Sequence, residues 1–355
     1  MHETRAGLFE QLTSFENLYR ASQAARRGKR FKSSTARFHH DLAQNLVELR
    51  DELLSGRYRP GPYRTFTIYE PARRFISAAP YRDRVVHHAL CNVIEPLFER
   101  SFIFDSYANR KGKGTHRALD RCTQYARRYR YVLQCDIRQF FPSIDHGILC
   151  ARLAAKIHDE PALALARLIL EGSNPQPPAG FYFPGDDLFT PSERRRGLPI
   201  GNLTSQFWAN VYLDPIDHFF KDDLGAPGYI RYVDDFLVFS NDKSALAQWR
   251  EECRRKLGRL RLLLHERKCR IYPAAEGIPF LGFRVFATHR RLRANAVKRA
   301  RRRMTRLATC YAAGNVTLAE AGRSVRAWVA HAEHGNTYGL RRSILGGVVF
   351  RAGGR

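Results

Sequence analysis

The chain has 355 residues, of which 44% are hydrophobic, and it carries 60 lysine and arginine residues against 34 acidic ones. This length and hydrophobic content predict two or three folded subdomains and exclude a disordered chain. The net charge of +26 predicts a polyanionic partner, and half of it lies from Arg290 onward, where there are 15 basic and two acidic residues.

No apolar run approaches the length of a membrane span, and the N-terminus lacks the apolar core of a signal peptide. The sequence therefore predicts a soluble, cytoplasmic protein with no membrane partner. Seven cysteines without a CxxC pair argue against a disulfide framework and against a structural zinc site. We expect these thiols to be reduced.

Leucine and aromatic residues recur at three- and four-residue spacing through residues 1–60, which predicts an N-terminal extension of amphipathic helices. A basic run, Arg26–Arg30, separates these helices. Alternating side chains over Tyr63–Ile68 then predict a strand.

The next helix is predicted to open at Asp83 and to run towards Pro96. His87 and His88 on this helix are favoured as packing residues over metal ligands, because no acidic or cysteine partner lies at ligand spacing.

A basic loop that contains glycine spans Tyr107–His116 and precedes a helical pattern from Ala118. Glycine lets the backbone approach a phosphate closely, while Arg110 and Lys113 are charged donors. The same residues would also suit a solvated basic loop, so the pattern leaves both interpretations open.

The first acidic site follows the apolar run Tyr131–Leu133. Asp136 lies at the end of this predicted buried strand, where an unpaired charge is costly. Its carboxylate therefore requires a cation. Residues 171–196, rich in Pro, Gly and Asp, then predict irregular structure before a helix whose sequence contains Pro215 as a possible kink.

The stretch Tyr229–Phe239 places Asp234 and Asp235 between two short apolar and aromatic runs, which predicts a β-hairpin with an acidic tip. Adjacent aspartates alone are ordinary turn residues. Together with Asp136, however, they give three carboxylates from two separate strands. That is the hard-oxygen ligand set of a two-metal phosphoryl-transfer site.

Apolar residues at helical spacing predict an amphipathic helix from Leu246 to Leu264, which Lys268 follows. A second hairpin is predicted over Ile278–Phe286. A helix dense in lysine and arginine is predicted over Ala296–Arg306.

In this order, the stretches resemble the reverse transcriptase family from about residue 60 to 290. The shared order is a basic fingers loop, Asp136, Leu-Pro-x-Gly at 198–201, Tyr-x-Asp-Asp at 232–235, Lys268 and Leu-Gly at 281–282. The resemblance implies an α+β right-hand polymerase fold, with fingers and an antiparallel-sheet palm over 61–290 and a basic helical thumb over 291–355. It also implies an RNA-directed DNA polymerase that copies RNA into cDNA.

The same resemblance implies roles for single residues. Asp136, Asp234 and Asp235, with the Ile137 carbonyl, would hold two Mg²⁺ ions, for which Mn²⁺ could substitute, and Lys268 would protonate the pyrophosphate leaving group. Residues implied around the incoming deoxynucleoside triphosphate are Arg110, Lys113, Phe141, Ile200 and Gln206, with Phe141 as the steric gate against a 2′-hydroxyl. Residues implied on the primer and template, an RNA/cDNA duplex, are Leu281, Gly282, Lys298, Arg299, Arg301, Arg302 and Arg303.

Two positions depart from most of the family, which has Gln in place of Ile200 and Pro in place of Gln206. The pattern Ile-Gly-Asn-Leu-Thr-Ser-Gln over 200–206 resembles the enzymes of bacterial diversity-generating retroelements, as does the stretch 325–340. This implies a bacterial or phage-encoded enzyme that copies a template-repeat RNA with errors at adenines and works with a small basic accessory protein.

Two alternatives stay open. A related bacterial reverse transcriptase of a phage-defence system or a group II-like element would carry the same motifs. A non-catalytic RNA-binding scaffold is the alternative from another class, and the three intact aspartates argue against it, because grouped carboxylates in a basic protein need a cation.

Overall fold

The computed structural model describes residues 7–69, 74–172 and 181–351. The α-helices are α1 (Leu8–Thr13), α2 (Phe15–Arg26), α3 (Ser33–His40), α4 (Leu42–Leu54), α5 (Tyr81–Glu99), α6 (Thr115–Arg128), α7 (Phe140–Ser143), α8 (His146–Ala154), α9 (Glu160–Glu171), α10 (Thr190–Glu193), α11 (Leu203–His218), α12 (Lys243–Arg259), α13 (Ala294–Ala312), α14 (Leu318–Ala332) and α15 (Tyr338–Gly346). The strands are β1 (Arg64–Ile68), β2 (Arg74–Ala78), β3 (Tyr131–Asp136), β4 (Gly228–Tyr232), β5 (Asp235–Ser240), β6 (Arg270–Pro273), β7 (Ile278–Phe280), β8 (Phe283–Val285) and β9 (Arg290–Leu292). No described helix is both long enough and apolar enough to cross a membrane.

A four-stranded antiparallel sheet of order β4-β5-β3-β6 lies at the centre. Alternate residues of β5 enter two different cores. Phe236 and Val238 pack with α11 and α12, whereas Leu237 and Phe239 pack with α6 and with the small sheet β7-β8-β9. Because side chains alternate along a strand, β5 is covered on both faces, and its N-terminal residue, Asp235, is fixed relative to both cores.

The predicted N-terminal helices are present as α1–α4, and the first three contact α5. The Asn17 amide donates hydrogen bonds to the carbonyls of Leu12 (3.0 Å) and Ala89 (3.1 Å), and the Tyr81 hydroxyl donates to the Ser22 carbonyl (2.9 Å). The bonds to Ala89 and from Tyr81 join the extension to α5, and the bond to Leu12 joins α2 to α1. His87 on α5 is buried, as expected for a packing residue.

Two boundaries differ from the sequence prediction. Helix α5 continues through Pro96 to Glu99. Helix α11 contains Pro215 in its interior, as its sequence predicts, and ends at His218. Helix α12 ends at Arg259, so Leu264 lies outside it, because Arg261 adopts a left-handed φ of 54° that a helix cannot accommodate. Of the predicted irregular segment 171–196, residues 173–180 lie outside the described residues, and α10 is the helix found in the rest.

A buried ion pair lies directly beneath the β4–β5 hairpin. Arg231 and Asp217 have side-chain exposures of 1% and 0%, and they form two hydrogen bonds of 2.6 Å. Arg231 also donates to the Asn210 side chain (3.0 Å) and to the Val233 carbonyl (3.2 Å), and the Tyr229 hydroxyl donates to Asp217 (2.8 Å). Each charge is therefore compensated by several partners.

We expect Arg231→Met to reduce the free energy of unfolding by about 3–5 kcal/mol, because it leaves the Asp217 carboxylate buried without its counter-ion. The double change Arg231→Met/Asp217→Leu should cost less, since it removes both charges. Chemical denaturation measures the free energy of unfolding of the single and the double variant. Arg254→Met, in an exposed pair with Glu251, is the control and should cost less than about 1 kcal/mol. A double variant as unstable as the single one would contradict this account.

Candidate active site

The three predicted aspartates lie at one end of the central sheet. Asp136 and Asp235 face each other in the β3–β5 pairing, and Val233-Asp234 is the two-residue loop of the β4–β5 hairpin. The backbone N–H of Ile137 donates to the Asp234 carbonyl at 3.1 Å and so fixes the loop beside β3. The predicted convergence of carboxylates from two strands is present.

The hairpin loop is strained. Val233 has a φ of 58°, a left-handed conformation that is an outlier for a β-branched residue and costs about 1–3 kcal/mol. Its carbonyl accepts a hydrogen bond from the buried guanidinium of Arg231. The network beneath the hairpin therefore helps to hold the aspartate-bearing loop in an unfavourable conformation, as is common where a backbone is positioned for function.

Lys268 neutralises the first aspartate. Its Nζ lies 2.9 Å from both Oδ1 and Oδ2 of Asp136. The backbone supports this pairing, because the His265 N–H donates to the Asp136 carbonyl at 2.8 Å and places the turn Glu266–Lys268 next to β3. The sequence predicts Lys268 to follow an amphipathic helix, but it does not predict the contact of Lys268 with Asp136.

Asp235 is in a different electrostatic environment. Burial, together with the negative charge of Asp136, raises the pKa of its carboxyl to about 7, although a hydrogen bond from Gln134 opposes the shift. Its Oδ1 is buried and has no hydrogen-bond partner within the described residues. A buried, unpartnered carboxylate oxygen that faces a second carboxylate is unfavourable unless a proton or a cation is present.

The donor set suits a hard divalent cation. Asp136, Asp234 and Asp235 offer carboxylate oxygens, which Mg²⁺ prefers, and the unpartnered Oδ1 of Asp235 provides a free ligand atom. Across the described ranges, no three His, Cys, Asp or Glu side chains are arranged to hold a metal as they stand. Lys268 occupies the Asp136 carboxylate in this arrangement, so a metal ion would have to displace it.

Arg110 and Lys113, the two cations of the basic loop that were predicted to contact phosphate, are bound to protein partners. Arg110 donates to both carboxylate oxygens of Glu99 and to the carbonyls of Ile103 (2.6 Å) and Ser106 (2.9 Å), and its side chain is only 5% exposed. Lys113 donates to the Phe104 carbonyl (2.7 Å). In this structure Arg110 stabilises the loop, and triphosphate binding by Arg110 would require it to leave Glu99.

Backbone hydrogen bonds join the Leu-Pro-x-Gly segment both to Phe141, the predicted steric gate, and to β2. The Leu198 N–H donates to the Phe141 carbonyl (2.9 Å), and the Ser77 N–H donates to the Ile200 carbonyl (3.0 Å). Phe141 and Ile200 are half-buried, and Gln206 is exposed on α11. The segment therefore connects the short helix α7 to strand β2 of the fingers.

Asn202 is a residue of this region that sequence reasoning did not single out. It is buried, its side-chain amide donates to the Ser77 carbonyl (3.0 Å), and its oxygen accepts from the Ala79 N–H (3.2 Å). An asparagine before a helix usually caps it, but this side chain binds β2 instead. Only the tertiary structure reveals that role.

The predicted primer-contacting hairpin and basic helix are both present. Leu281 and Gly282 form the two-residue loop between β7 and β8, with φ values of 46° and 89°. Helix α13 buries Ala300 and Met304. The predicted cations on its exposed faces are Lys298, Arg299, Arg301, Arg302 and Arg303. The Arg303 guanidinium also donates to Ser324 of α14 (2.7 and 3.0 Å).

The His-Gly-Asn-Thr-Tyr turn between α14 and α15 docks on β9. The Asn336 N–H donates to the Arg290 carbonyl (2.8 Å), and the Asn336 side chain accepts from the Arg290 N–H (3.1 Å). The Arg290 guanidinium then donates to Asp120 of α6 (2.7 Å). This turn therefore fixes the C-terminal helices against the small sheet β7-β8-β9 and α6.

Comparison with known proteins identifies the class. The family model for reverse transcriptase (RNA-dependent DNA polymerase) matches residues 70–285, well over half of the chain, so the chain belongs to that family. The predicted family, the α+β right-hand polymerase fold and the RNA-directed DNA polymerase class are confirmed.

The sequence identity to individual curated proteins is low. Protein YkfC of Escherichia coli (strain K12) is 28% identical over 288 residues, which cover 69% of this chain and 72% of that protein. The group II intron-encoded protein LtrA of Lactococcus lactis subsp. cremoris is 23% identical over 209 residues, 58% of this chain and 32% of LtrA. The putative COX1/OXI3 intron 1 protein of Saccharomyces cerevisiae is 23% identical over 50% of this chain and 20% of its own length. The chain thus spans a third or less of these two intron proteins.

Among solved structures, apo telomerase from Candida tropicalis truncated from the C-terminal domain aligns with a TM-score of 0.49 and 10% identity, over 71% of this chain and 60% of that chain. Telomerase from Candida albicans in complex with a fragment of telomeric RNA aligns with a TM-score of 0.47 and 10% identity, over 82% of this chain and 56% of that chain.

We expect Asp235→Asn to stabilise the metal-free protein. Because the pKa of Asp235 is raised to about 7, the folded state keeps a proton that the unfolded chain releases near pH 4, and wild-type stability falls as pH rises between these values. The advantage of Asp235→Asn should therefore grow from pH 4 to pH 8 and reach at most about 4 kcal/mol. Thermal unfolding in EDTA measures it.

The control is Asp242→Asn. Asp242 caps α12, and hydrogen bonds from Ser244 and Ala245 lower its pKa. Here the wild type should be more stable than the asparagine variant above pH 4, which is the opposite sign to that expected for Asp235→Asn. If the stability difference between Asp235→Asn and wild type did not change with pH, a raised pKa of Asp235 would be ruled out.

Proposed function

We propose that this chain copies an RNA template into cDNA by two-metal nucleotidyl transfer, with Asp136, Asp234 and Asp235 as metal ligands and the Ile137 carbonyl assisting. The observation that carries the proposal is the direct opposition of Asp136 and Asp235, with a buried and unpartnered oxygen on Asp235. Two bound Mg²⁺ ions would stabilise the charge on the attacking and leaving oxygens.

Lys268 is proposed to have two successive roles. In the structure it neutralises Asp136, but the side chains of Lys268 and Asp136 are 56% and 23% exposed, and ion pairs this exposed contribute only about 0–1 kcal/mol. Its release therefore costs little. The freed ammonium then lies next to the reacting phosphates, where it can donate a proton to the leaving pyrophosphate.

We propose that substrate selection depends on Phe141, Lys113 and Arg110. Phe141 lies in a four-residue helix whose backbone is bound to Leu198, and its ring is 5.5 Å from that of Phe140. A ring held in this way would exclude a ribose 2′-hydroxyl by volume. Lys113 would contact the triphosphate, and Arg110 would do so after leaving Glu99.

The duplex contact is assigned to the thumb. The exposed cations of α13 lie on a helix whose opposite face is buried, which favours sequence-independent contact with backbone phosphates. The Leu281-Gly282 loop would contact the primer strand.

Within the family, the proposed element is a diversity-generating retroelement with a small basic accessory protein. The support is the 200–206 pattern and the His-Gly-Asn-Thr-Tyr turn, which here has a defined docking role. A group II-like element is the second candidate, because relatives of this chain include group II intron proteins. Paired template and variable repeats beside the gene would favour the first, and a ribozyme the second.

Asp136→Ala should lower the rate of Mg²⁺-dependent primer extension by at least about a thousandfold, because losing a metal ligand removes several kcal/mol of transition-state stabilisation. RNA affinity should stay close to that of the wild type. Asp51→Ala, an exposed aspartate of α4, is the matched control and should extend normally. Near-normal extension by Asp136→Ala would refute the assignment.

Ile200→Gln should reduce misincorporation opposite template adenine, roughly five- to thirtyfold, because a polar side chain adds a contact worth about 1–2 kcal/mol near the nascent pair. The backbone contact with Ser77 should survive, so activity should be retained. Ile200→Leu is the apolar control. Sequencing cDNA from one RNA template compares the enzymes, and equal error rates at adenine would mean that Ile200 does not set fidelity.

A further inference from the structure

A dense cluster of cations lies outside the candidate active site, in and beside the loop between α2 and α3. We call it the N-terminal basic surface. It consists of Arg26, Arg27, Lys29, Arg30, Lys32 and, from the first turns of α5, Arg84. None of the proposed catalytic or duplex-contacting residues belongs to it.

The charges of this surface are not compensated by the protein. Within residues 7–69, 74–172 and 181–351, none of the six side chains forms an ion pair with a carboxylate, whereas nearby Arg20 and Arg82 do. Burial lowers the pKa of Lys29, and the adjacent Arg84 and Lys32 lower it further. Like charges that are grouped in this way repel one another, and a bound polyanion would relieve the repulsion.

The N-terminal basic surface is attached to the rest of the protein through α2. Helix α2 is joined to α5 by the Tyr81–Ser22 and Asn17–Ala89 hydrogen bonds described above. The loop itself is ordered by backbone hydrogen bonds from Lys29 to Arg26 (2.9 Å) and from Lys32 to Lys29 (3.0 Å). The cations are therefore presented in a defined arrangement, which reduces the ordering cost of binding.

An aromatic ring lies within the cluster. Phe31 is 89% exposed, and the Arg30 guanidinium carbon lies 4.7 Å from the centre of its ring. The residues that border an open cleft of about 600 Å³ beside this ring are Gln23, Arg26, Arg27, Gly28, Arg30 and Phe31 itself. An exposed aromatic ring among phosphate-binding cations is the arrangement that proteins use for single-stranded nucleic acid, in which bases stack on the ring and phosphates contact the cations.

We propose that the N-terminal basic surface binds a single-stranded segment of the template RNA outside the polymerase active site, with phosphates on Arg27, Arg30 and Lys32 and one base stacked on Phe31. The choice of RNA as the polyanion rests on the proposed function. The surface gives the enzyme a second hold on its template that does not depend on the duplex in the active site.

The charge contribution is tested with the variant Arg27→Gln/Arg30→Gln/Lys32→Gln and a fluorescent 20-nucleotide single-stranded RNA. Its affinity should fall, and the slope of log K against log salt should decrease by up to about 2, since each lost phosphate contact on a single strand contributes about 0.7. The matched control removes three exposed charges elsewhere, as Arg50→Gln/Arg255→Gln/Arg259→Gln, and should keep the wild-type slope. An unchanged slope in the first variant would overturn the proposal and leave a protein partner as the occupant.

The stacking contribution is tested with Phe31→Ala and Phe31→Trp. Loss of one stacked base should weaken RNA binding at least about fivefold in Phe31→Ala without altering the salt slope, and Phe31→Trp should retain the affinity. Equal affinity of the alanine variant and the wild type would contradict a stacking role. A single-stranded DNA of the same sequence is the second probe, and tighter binding of DNA than RNA through this surface would refute the template assignment.

Primer extension separates this inference from the proposed function. On a short pre-annealed RNA template at saturating concentration, the triple-glutamine variant should extend at the wild-type rate, while Asp136→Ala should fail to extend and still bind the single-stranded RNA. If the triple-glutamine variant had wild-type thermal stability but failed under these conditions, its residues would belong to the polymerase site, and the proposal of a separate surface would be wrong.

Discussion

The antiparallel pairing of β3 with β5 places Asp136 and Asp235 directly opposite each other, and this electrostatic conflict is the constraint on which the site depends. Two neighbouring carboxylates, one with a buried and unpartnered oxygen, cannot both be charged without a cation nearby. In the structure the conflict is relieved by Lys268 on Asp136 and by the raised pKa of Asp235. The proposed binding of divalent cations would relieve the same conflict.

The surrounding residues of the palm prevent the carboxylates of Asp136 and Asp235 from moving apart. Strand β5 is covered on both faces, and the strained Val233 is held by Arg231, which is itself held by Asp217. If the hairpin could relax, the carboxylates of Asp136 and Asp235 would move apart. The buried ion pair therefore helps to fix the positions of these carboxylates, whatever its net effect on stability.

The sequence predicted the features that depend on local pattern. The hairpin around Asp234, the strand ending at Asp136 and the basic face of α13 follow from alternation, helical spacing and charge. It did not predict the partners of Arg110 or Asn202, because Glu99 and Ser77 are brought to them only by tertiary packing. The end of α12 was missed for a related reason: apolar spacing continues to Leu264 although Arg261 turns the backbone.

The most direct test of the central claim is to locate bound metal in crystals of the protein with primer, template and a non-hydrolysable deoxynucleotide, using the anomalous scattering of Mn²⁺. We expect two ions about 3.5–4 Å apart, bound by Asp136, Asp234 and Asp235, with the Lys268 ammonium displaced from Asp136. A ternary complex with Lys268 still bound to Asp136 and no ion between Asp136 and Asp235 would contradict it.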